Sequence, residues 1–246
     1  MKLALVGFGK MGRAVETVAL ERGHEVVARI DPTLDTHHID TETLRGAQVA
    51  IEFTVPDVAV DNITALAAAG VDAVVGTTGW HGRLDEAVTA VNGAGTGLVH
   101  AANFSLGVNL FLRLVRMAAK MANGLGEYDV HIREAHHRHK IDHPSGTAIT
   151  LADILIEELA GKESWSATLP DGAPHPQVLY VASERVGETT GSHVVSLEGP
   201  DDRIELRHEA RTRAGFARGA VAAAEWIRGR SGVFTLDDML AETFKS

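Results

Sequence analysis

Near its amino terminus the chain carries Gly7-Phe8-Gly9-Lys10-Met11-Gly12, directly after the apolar run Leu3 to Val6 and directly before Met11 to Arg22, whose apolar residues recur every three or four positions. A GxGxxG string alone says little, but between a strand and an amphipathic helix it constrains the fold strongly. Each glycine has its own reason. Gly7 permits the tight bend, Gly9 removes a side chain where a pyrophosphate would approach the backbone, and Gly12 lets helix and strand pack closely. Lys10 and Met11 then open a helix whose first amides and positive dipole end suit phosphate. Asp31, 19 residues after Gly12 at the end of a second apolar run, is placed to accept from a ribose 2′-hydroxyl, which favours NADH. Pro32 comes next, where an arginine could otherwise meet a 2′-phosphate, while nearby Arg29 leaves NADPH open.

The same alternation continues to about residue 101. Strand-like runs at Glu25 to Ile30, Val49 to Phe53, Val71 to Val75 and Leu98 to Ala101 are separated by helix-period segments at Asp57 to Ala69 and Leu84 to Asn92, which implies an α/β Rossmann-type parallel sheet with crossover helices. Beyond Gly107 the pattern changes. A long helix, Val108 to Ala122, is succeeded by a strand near Tyr128 to Glu134 and a helix from about Thr147 to Leu159. Three strand-like runs then come one after another without helices: Val178 to Ser183, His193 to Leu197 and Arg203 to His208. That succession predicts antiparallel pairing of these strands in a second, α+β domain with a mixed or antiparallel sheet, and Gly161 to Pro176 reads as an excursion loop within it. A last helix, Gly219 to Arg228, is a candidate to return to the first domain.

Composition narrows the partners. A formal net charge of −10 disfavours nucleic acid and anionic membrane surfaces, and the absence of cysteine excludes disulfides and thiolate metal sites. Gly7 and Gly9 interrupt the apolar opening well before a signal core or a membrane span of about 20 residues, so a cytoplasmic protein is expected.

Against this acidic background, Arg133-Glu134-Ala135-His136-His137-Arg138-His139-Lys140 concentrates six basic or proton-accepting side chains in eight residues. A charge run of this kind is ordinarily a solvated loop. The adjoining segment argues otherwise, because Asp142-His143-Pro144-Ser145-Gly146-Thr147 introduces a helix whose exposed first-turn amides suit a carboxylate beside the cluster.

The string from Glu134 through Lys140 and Asp142 to Ser145-Gly146-Thr147-Ala148 resembles the signature of the dihydrodipicolinate reductases. The resemblance covers nearly the whole chain. Gly7 to Gly12 is similar to that family's cofactor loop, Glu52-Phe53-Thr54 with Pro56 to its third-strand turn, and Gly76-Thr77-Thr78-Gly79 to its nicotinamide loop. Ala102-Asn103-Phe104-Ser105 with Gly107-Val108-Asn109 resembles the crossing into the substrate domain, and Arg213 with Phe216 to Ala220 the crossing back. His143 departs from the usual alanine and Thr212 from the frequent serine.

The resemblance implies a dinucleotide-binding domain at residues 1–105 and 214–246, a substrate-binding and oligomerisation domain at 106–213, and a homotetramer. It implies reduction of a cyclic imine dicarboxylate by NADH or NADPH on the route to diaminopimelate and lysine. The ring that receives hydride must also collect a proton, and His136 is the candidate donor, since free imidazole titrates near 6.5. Lys140 suits a substrate carboxylate and developing negative charge, His137 is assigned to substrate contact, and Ser145, Gly146 and Thr147 to a carboxylate clamp. Gly76, Thr77, Thr78, Ala102, Asn103 and Phe104 fall at strand ends and are assigned to the nicotinamide end of the cofactor; Phe53 either packs on the cofactor or fills the core. No metal is expected, although the histidines at 136, 137, 139 and 143 make a zinc enzyme one rival reading. A dinucleotide sensor without turnover and another two-domain dehydrogenase are the others.

Overall fold

A computed structural model describes residues 1–34 and 38–243. The chain divides into two compact units, Met1–Leu106 with the segment from Arg213 onward, and Gly107–Thr212.

In the first unit the elements run β1 (Lys2–Val6), α1 (Lys10–Glu21), β2 (Glu25–Ile30), β3 (Val49–Glu52), α2 (Pro56–Ala68), β4 (Asp72–Val75), α3 (Leu84–Ala94) and β5 (Gly97–His100). The second unit holds most of α4 (Leu106–Leu125), then β6 (Asp129–His136), α5 (Gly146–Glu158), β7 (Ser164–Ser166), β8 (Val178–Arg185), β9 (Ser192–Glu198) and β10 (Arg203–Glu209). The chain returns to the first unit for α6 (Ala214–Ile227), β11 (Gly232–Thr235) and α7 (Leu236–Thr243). No described helix is long and apolar enough to cross a membrane.

The first sheet is wholly parallel, in the order β11-β5-β4-β3-β1-β2. Alternate residues of one strand feed two cores, because successive side chains point to opposite faces. Leu3 and Leu5 join α1, α6 and α7 on one face, while Ala4 and Val6 join α2 and α3 on the other. Burial on both sides is why these strands read as continuous apolar runs. Pro56 sits in the first turn of α2, where its missing amide proton costs nothing. β2 and β3 flank β1 on opposite sides, so the direction of winding reverses at the carboxyl end of β1, the position where open α/β sheets bind ligands.

The second sheet is mixed, in the order β10-β9-β6-β8-β7. Here one expectation is corrected. β8 and β9 are consecutive but not paired, because β6 lies between them, parallel to β8 and antiparallel to β9. α5 makes β6 to β7 a crossover rather than a hairpin, and crossovers yield parallel strands. β7 falls inside the expected excursion loop, while β11 and α7 were not expected at all; strands of three and four residues are too short to show a period.

Val130 and Ile132 of β6, Leu179 and Val181 of β8, and Val195 and Leu197 of β9 pack beneath α4 and α5. Continued by the period of two, that same face carries Glu134, His136, Ser183, Arg185 and His193. The helix-covered side of the sheet is therefore apolar at one end and strongly polar at the other, where α5 begins.

Candidate active site

Two groups of candidate residues exist, one in each unit. In the first, Gly7 has φ +87°, and a Cβ there would lie 2.1 Å from the Phe53 carbonyl oxygen. A Cβ on Gly12 would meet the Gly7 carbonyl oxygen at 2.2 Å. Packing within the protein thus accounts for both. Gly9 is different: a Cβ there would meet nothing within 4 Å, so its missing side chain serves something other than the protein's own packing. Gly9 is also the N-cap of α1 and supplies no side-chain cap, leaving the first amides of that helix to an external acceptor.

These amides border a cavity of about 520 Å³ lined by Gly9, Lys10, Met11, Phe53, Gly76, Thr77 and Thr78, together with Thr54, Pro56 and Arg213. A Cβ on Gly76 would overlap the Phe53 ring at 2.0 Å, so this glycine makes room for the aromatic wall. Phe53 both lines the cavity and packs against the core. Asp31 accepts from the Phe8 amide at 2.6 Å and from the Thr33 hydroxyl and amide at 2.6 and 2.9 Å. The Thr33 hydroxyl first, and then the Phe8 amide, hold its carboxyl below the usual range. Arg29 is engaged by Glu16 and stacks on Phe8 with Arg13. A dinucleotide suits this set, with an open backbone at the helix end and a carboxylate at the close of β2.

The three positions expected at the crossing between the units are placed as follows. Phe104 is only 1% exposed, in the core edge-on to Phe53, so its side chain supports the wall and does not form it. Ala102 is exposed and the Asn103 side chain accepts from the Ser105 amide at 2.8 Å, which ties that turn locally.

In the second unit, Glu134 has a side chain with no exposed surface. Its Oε2 pairs with His136 Nδ1, and its Oε1 accepts from Arg185 Nη2 at 2.8 Å and from the Ser145 amide at 3.3 Å. Burial alone would push this carboxyl up, but the hydrogen bonds from His136 and Arg185 outweigh it and hold the group down at about 2. His193 lies edge-on to His136 with ring centroids 5.2 Å apart, and its Nε2 meets Ser145 Oγ at 3.1 Å. Burial, reinforced by the neighbouring His136, lowers His193 to about 4.

Ser145 is the N-cap of α5, its hydroxyl accepting from the Ala148 amide, so among the expected clamp residues the Gly146 and Thr147 amides remain without intrahelical partners. Lys140 Nζ is gripped by both oxygens of Asp142 at 2.8 Å, so a substrate carboxylate must compete with Asp142 for it. His137 is half-buried, with its Nδ1 enclosed and lacking a hydrogen-bond partner. His143 is exposed and its Nδ1 lies 3.0 Å from the Ile141 carbonyl oxygen.

Glu134, His136 and His193 bring possible metal-ligand atoms within 4.8 Å of one another. The guanidinium of Arg185 already occupies that carboxylate, and a cation added beside it would meet direct repulsion. The four loop histidines that suggested a metal centre contribute only His136 to this group.

Residues 1–104 match the family model of the dihydrodipicolinate reductase N-terminus and residues 107–240 that of its C-terminus. The chain belongs to the dihydrodipicolinate reductase family. It is 37% identical over 246 residues, the full length of both chains, to a 4-hydroxy-tetrahydrodipicolinate reductase of Christiangramia forsetii. It is 40% identical over 198 residues to the enzyme of that name from Methanococcoides burtonii, covering 78% of this chain and 72% of the relative. Its fold is similar to that of a dipicolinate-bound dihydrodipicolinate reductase from Paenisporosarcina sp. TG-14, with a TM-score of 0.77 and 22% identity over 96% of this chain and 97% of the other.

For this dihydrodipicolinate reductase family member, sequence reasoning overlooked Glu134, Arg185 and His193 as parts of the candidate site. One signal was available. Glu134 interrupts the alternating apolar positions Val130 and Ile132, where a lone carboxylate is costly unless paired. Arg185 and His193 gave none, since each meets β6 only through strand pairing.

Proposed function

We propose that this chain is a 4-hydroxy-tetrahydrodipicolinate reductase, which reduces a cyclic imine dicarboxylate with NAD(P)H to tetrahydrodipicolinate in diaminopimelate and lysine biosynthesis. The observation that carries the reading is the match of both halves of the chain to the family, with the Glu134 to Ala148 signature present apart from His143.

The nicotinamide, when bound, supplies the hydride. The protein's part is to bind, orient and protonate. In the first unit, the α1 amides and the open backbone at Gly9 hold the pyrophosphate, Asp31 the ribose, and Gly76, Thr77, Thr78 and Phe53 the nicotinamide end. In the second, the Gly146 and Thr147 amides take one substrate carboxylate and Lys140 the other, with His137 in contact. His136 gives the proton from Nε2 as negative charge reaches the ring.

NADH is the favoured cofactor. The ionised Asp31 repels a 2′-phosphate, and Arg29, the nearest cation in the sequence, is engaged by Glu16. Exchanging Asp31 for Asn should therefore raise NADPH use relative to NADH, read as the ratio of the two kcat/KM values. The family resemblance supports a cytoplasmic homotetramer joined through the second unit's sheet, which sedimentation would report as four times the 26.2 kDa chain.

The test is loss of reduced-nicotinamide absorbance with substrate generated in place from pyruvate and aspartate semialdehyde by a synthase, for wild type, His136→Ala and Lys140→Ala. Rapid wild-type consumption is expected, with both variants losing turnover while still binding cofactor. Tight NADH binding without consumption would replace the reductase by a dinucleotide sensor.

A further inference from the structure

We propose that Glu134, anchored by Arg185, is the positioning residue that fixes His136 as its Nδ1–H tautomer and aims Nε2 into the space left open by Gly191. The inference rests on reading His136 as the proton donor.

Glu134 and His136 are two residues apart on one strand and so share a face. A carboxylate wholly enclosed on that face is costly unless every oxygen is engaged, and here both are. The hydrogen bonds from Arg185, the Ser145 amide and His136 favour the ionised form of Glu134, and an ionised carboxylate only accepts. The shared hydrogen must therefore belong to His136 Nδ1. That leaves Nε2 as the nitrogen whose proton comes and goes. Giving it up returns the ring to its neutral Nδ1–H form, still bonded to Glu134, and solvent restores the proton before the next turnover.

Space around Nε2 is arranged to match. A Cβ on Gly191 would lie 3.0 Å from Nε2, so the glycine leaves that nitrogen clear. Arg185 does more than balance the carboxylate. Its guanidinium also donates to the Asp142 carbonyl oxygen at 2.6 Å and to the Lys140 carbonyl oxygen at 3.3 Å. One planar fork thereby ties the orientation of His136 to the loop that carries Lys140, a task a lysine cannot perform. His193, neutral because burial holds it near 4, supports the ring edge-on without adding a second cation.

Nitrogen-15 spectra of histidine-labelled protein identify the tautomer directly, and they do so whether or not the enzyme turns over. The neutral His136 ring should show a protonated Nδ1 and an unprotonated Nε2 in wild type. In Glu134→Gln the ring should lose that preference, and kcat should fall on the order of 10- to 100-fold while KM and NADH affinity stay within about threefold. Arg185→Lys should also raise KM, because the Lys140 loop is released. Gly191→Ala should lower kcat with the tautomer unchanged, which keeps the test alive if Glu134→Gln fails to fold. A wild-type His136 protonated at Nε2 when neutral would overturn the proposal, as would Glu134→Gln with tautomer and kcat unaltered. An Nδ1–H tautomer in a protein that consumes no substrate would instead refute the reductase reading and leave the positioning intact.

Discussion

Replacing His193 by glutamine should remove a defined part of the protein's acid sensitivity. His193 is 4% exposed on β9, faced by Glu134 and His136 from β6, by Ser145 at the start of α5, by His208 from β10 and by the charge of Lys140. Burial holds it at about 4 against 6.5 for the unfolded chain. A base whose folded pKa is depressed binds its proton more readily when unfolded, so stability rises with pH between the two values and is lost as pH falls from 6.5 towards 4. At about 1.36 kcal/mol per pH unit, the loss between roughly pH 7.5 and 5 comes to about 2 kcal/mol, worked from that pair of values. Glutamine fills similar space and does not titrate. Urea titrations at both pH values, read by hydrogen-exchange mass spectrometry on peptides of the second unit, should show wild type losing about 2 kcal/mol more than His193→Gln over this interval. Parallel losses would refute the reasoning, because His193 would then titrate alike in both states. Glu134 does not confuse the comparison, since its depressed pKa withdraws stability only at more acid pH.

The glycines of the first loop should separate folding from binding. Gly9→Ala should leave thermal stability unchanged and weaken NADH binding about tenfold or more in a fluorescence titration, whereas Gly7→Ala, with a positive φ and a 2.1 Å approach to Phe53, should lower the melting temperature sharply. Glu52, buried at the end of β3, has its carboxyl pushed up by burial, so it withdraws stability as pH rises from 4.5 through its folded pKa. Glu52→Gln should therefore gain on wild type as pH increases, and a difference independent of pH in thermal melts would refute that.

Much was legible in the sequence because it was local. The glycine loop, the apolar runs of the parallel sheet and the periods of α1, α2, α4 and α5 depend on neighbours a few residues apart, so the pattern sufficed to place them. The string from Glu134 to Ala148 was legible for the same reason, being one strand end, one loop and one helix start. By itself the sequence therefore determined the two kinds of sheet, the local string of candidate site residues and the family that string resembles.

Tertiary structure decided what those residues are held by. Arg185 lies 51 positions from Glu134 and reaches it only because β8 pairs with β6; His193 arrives from the other side because β9 does. The insertion of β6 between β8 and β9 is a property of strand pairing over long separations, for which local periodicity holds no information. The same holds for Phe104, which shares a motif with exposed Ala102 yet lies in the core. A local pattern records which groups are present, whereas the tautomer of an imidazole and the ionisation of a buried carboxylate depend on which distant groups the fold brings within hydrogen-bonding reach.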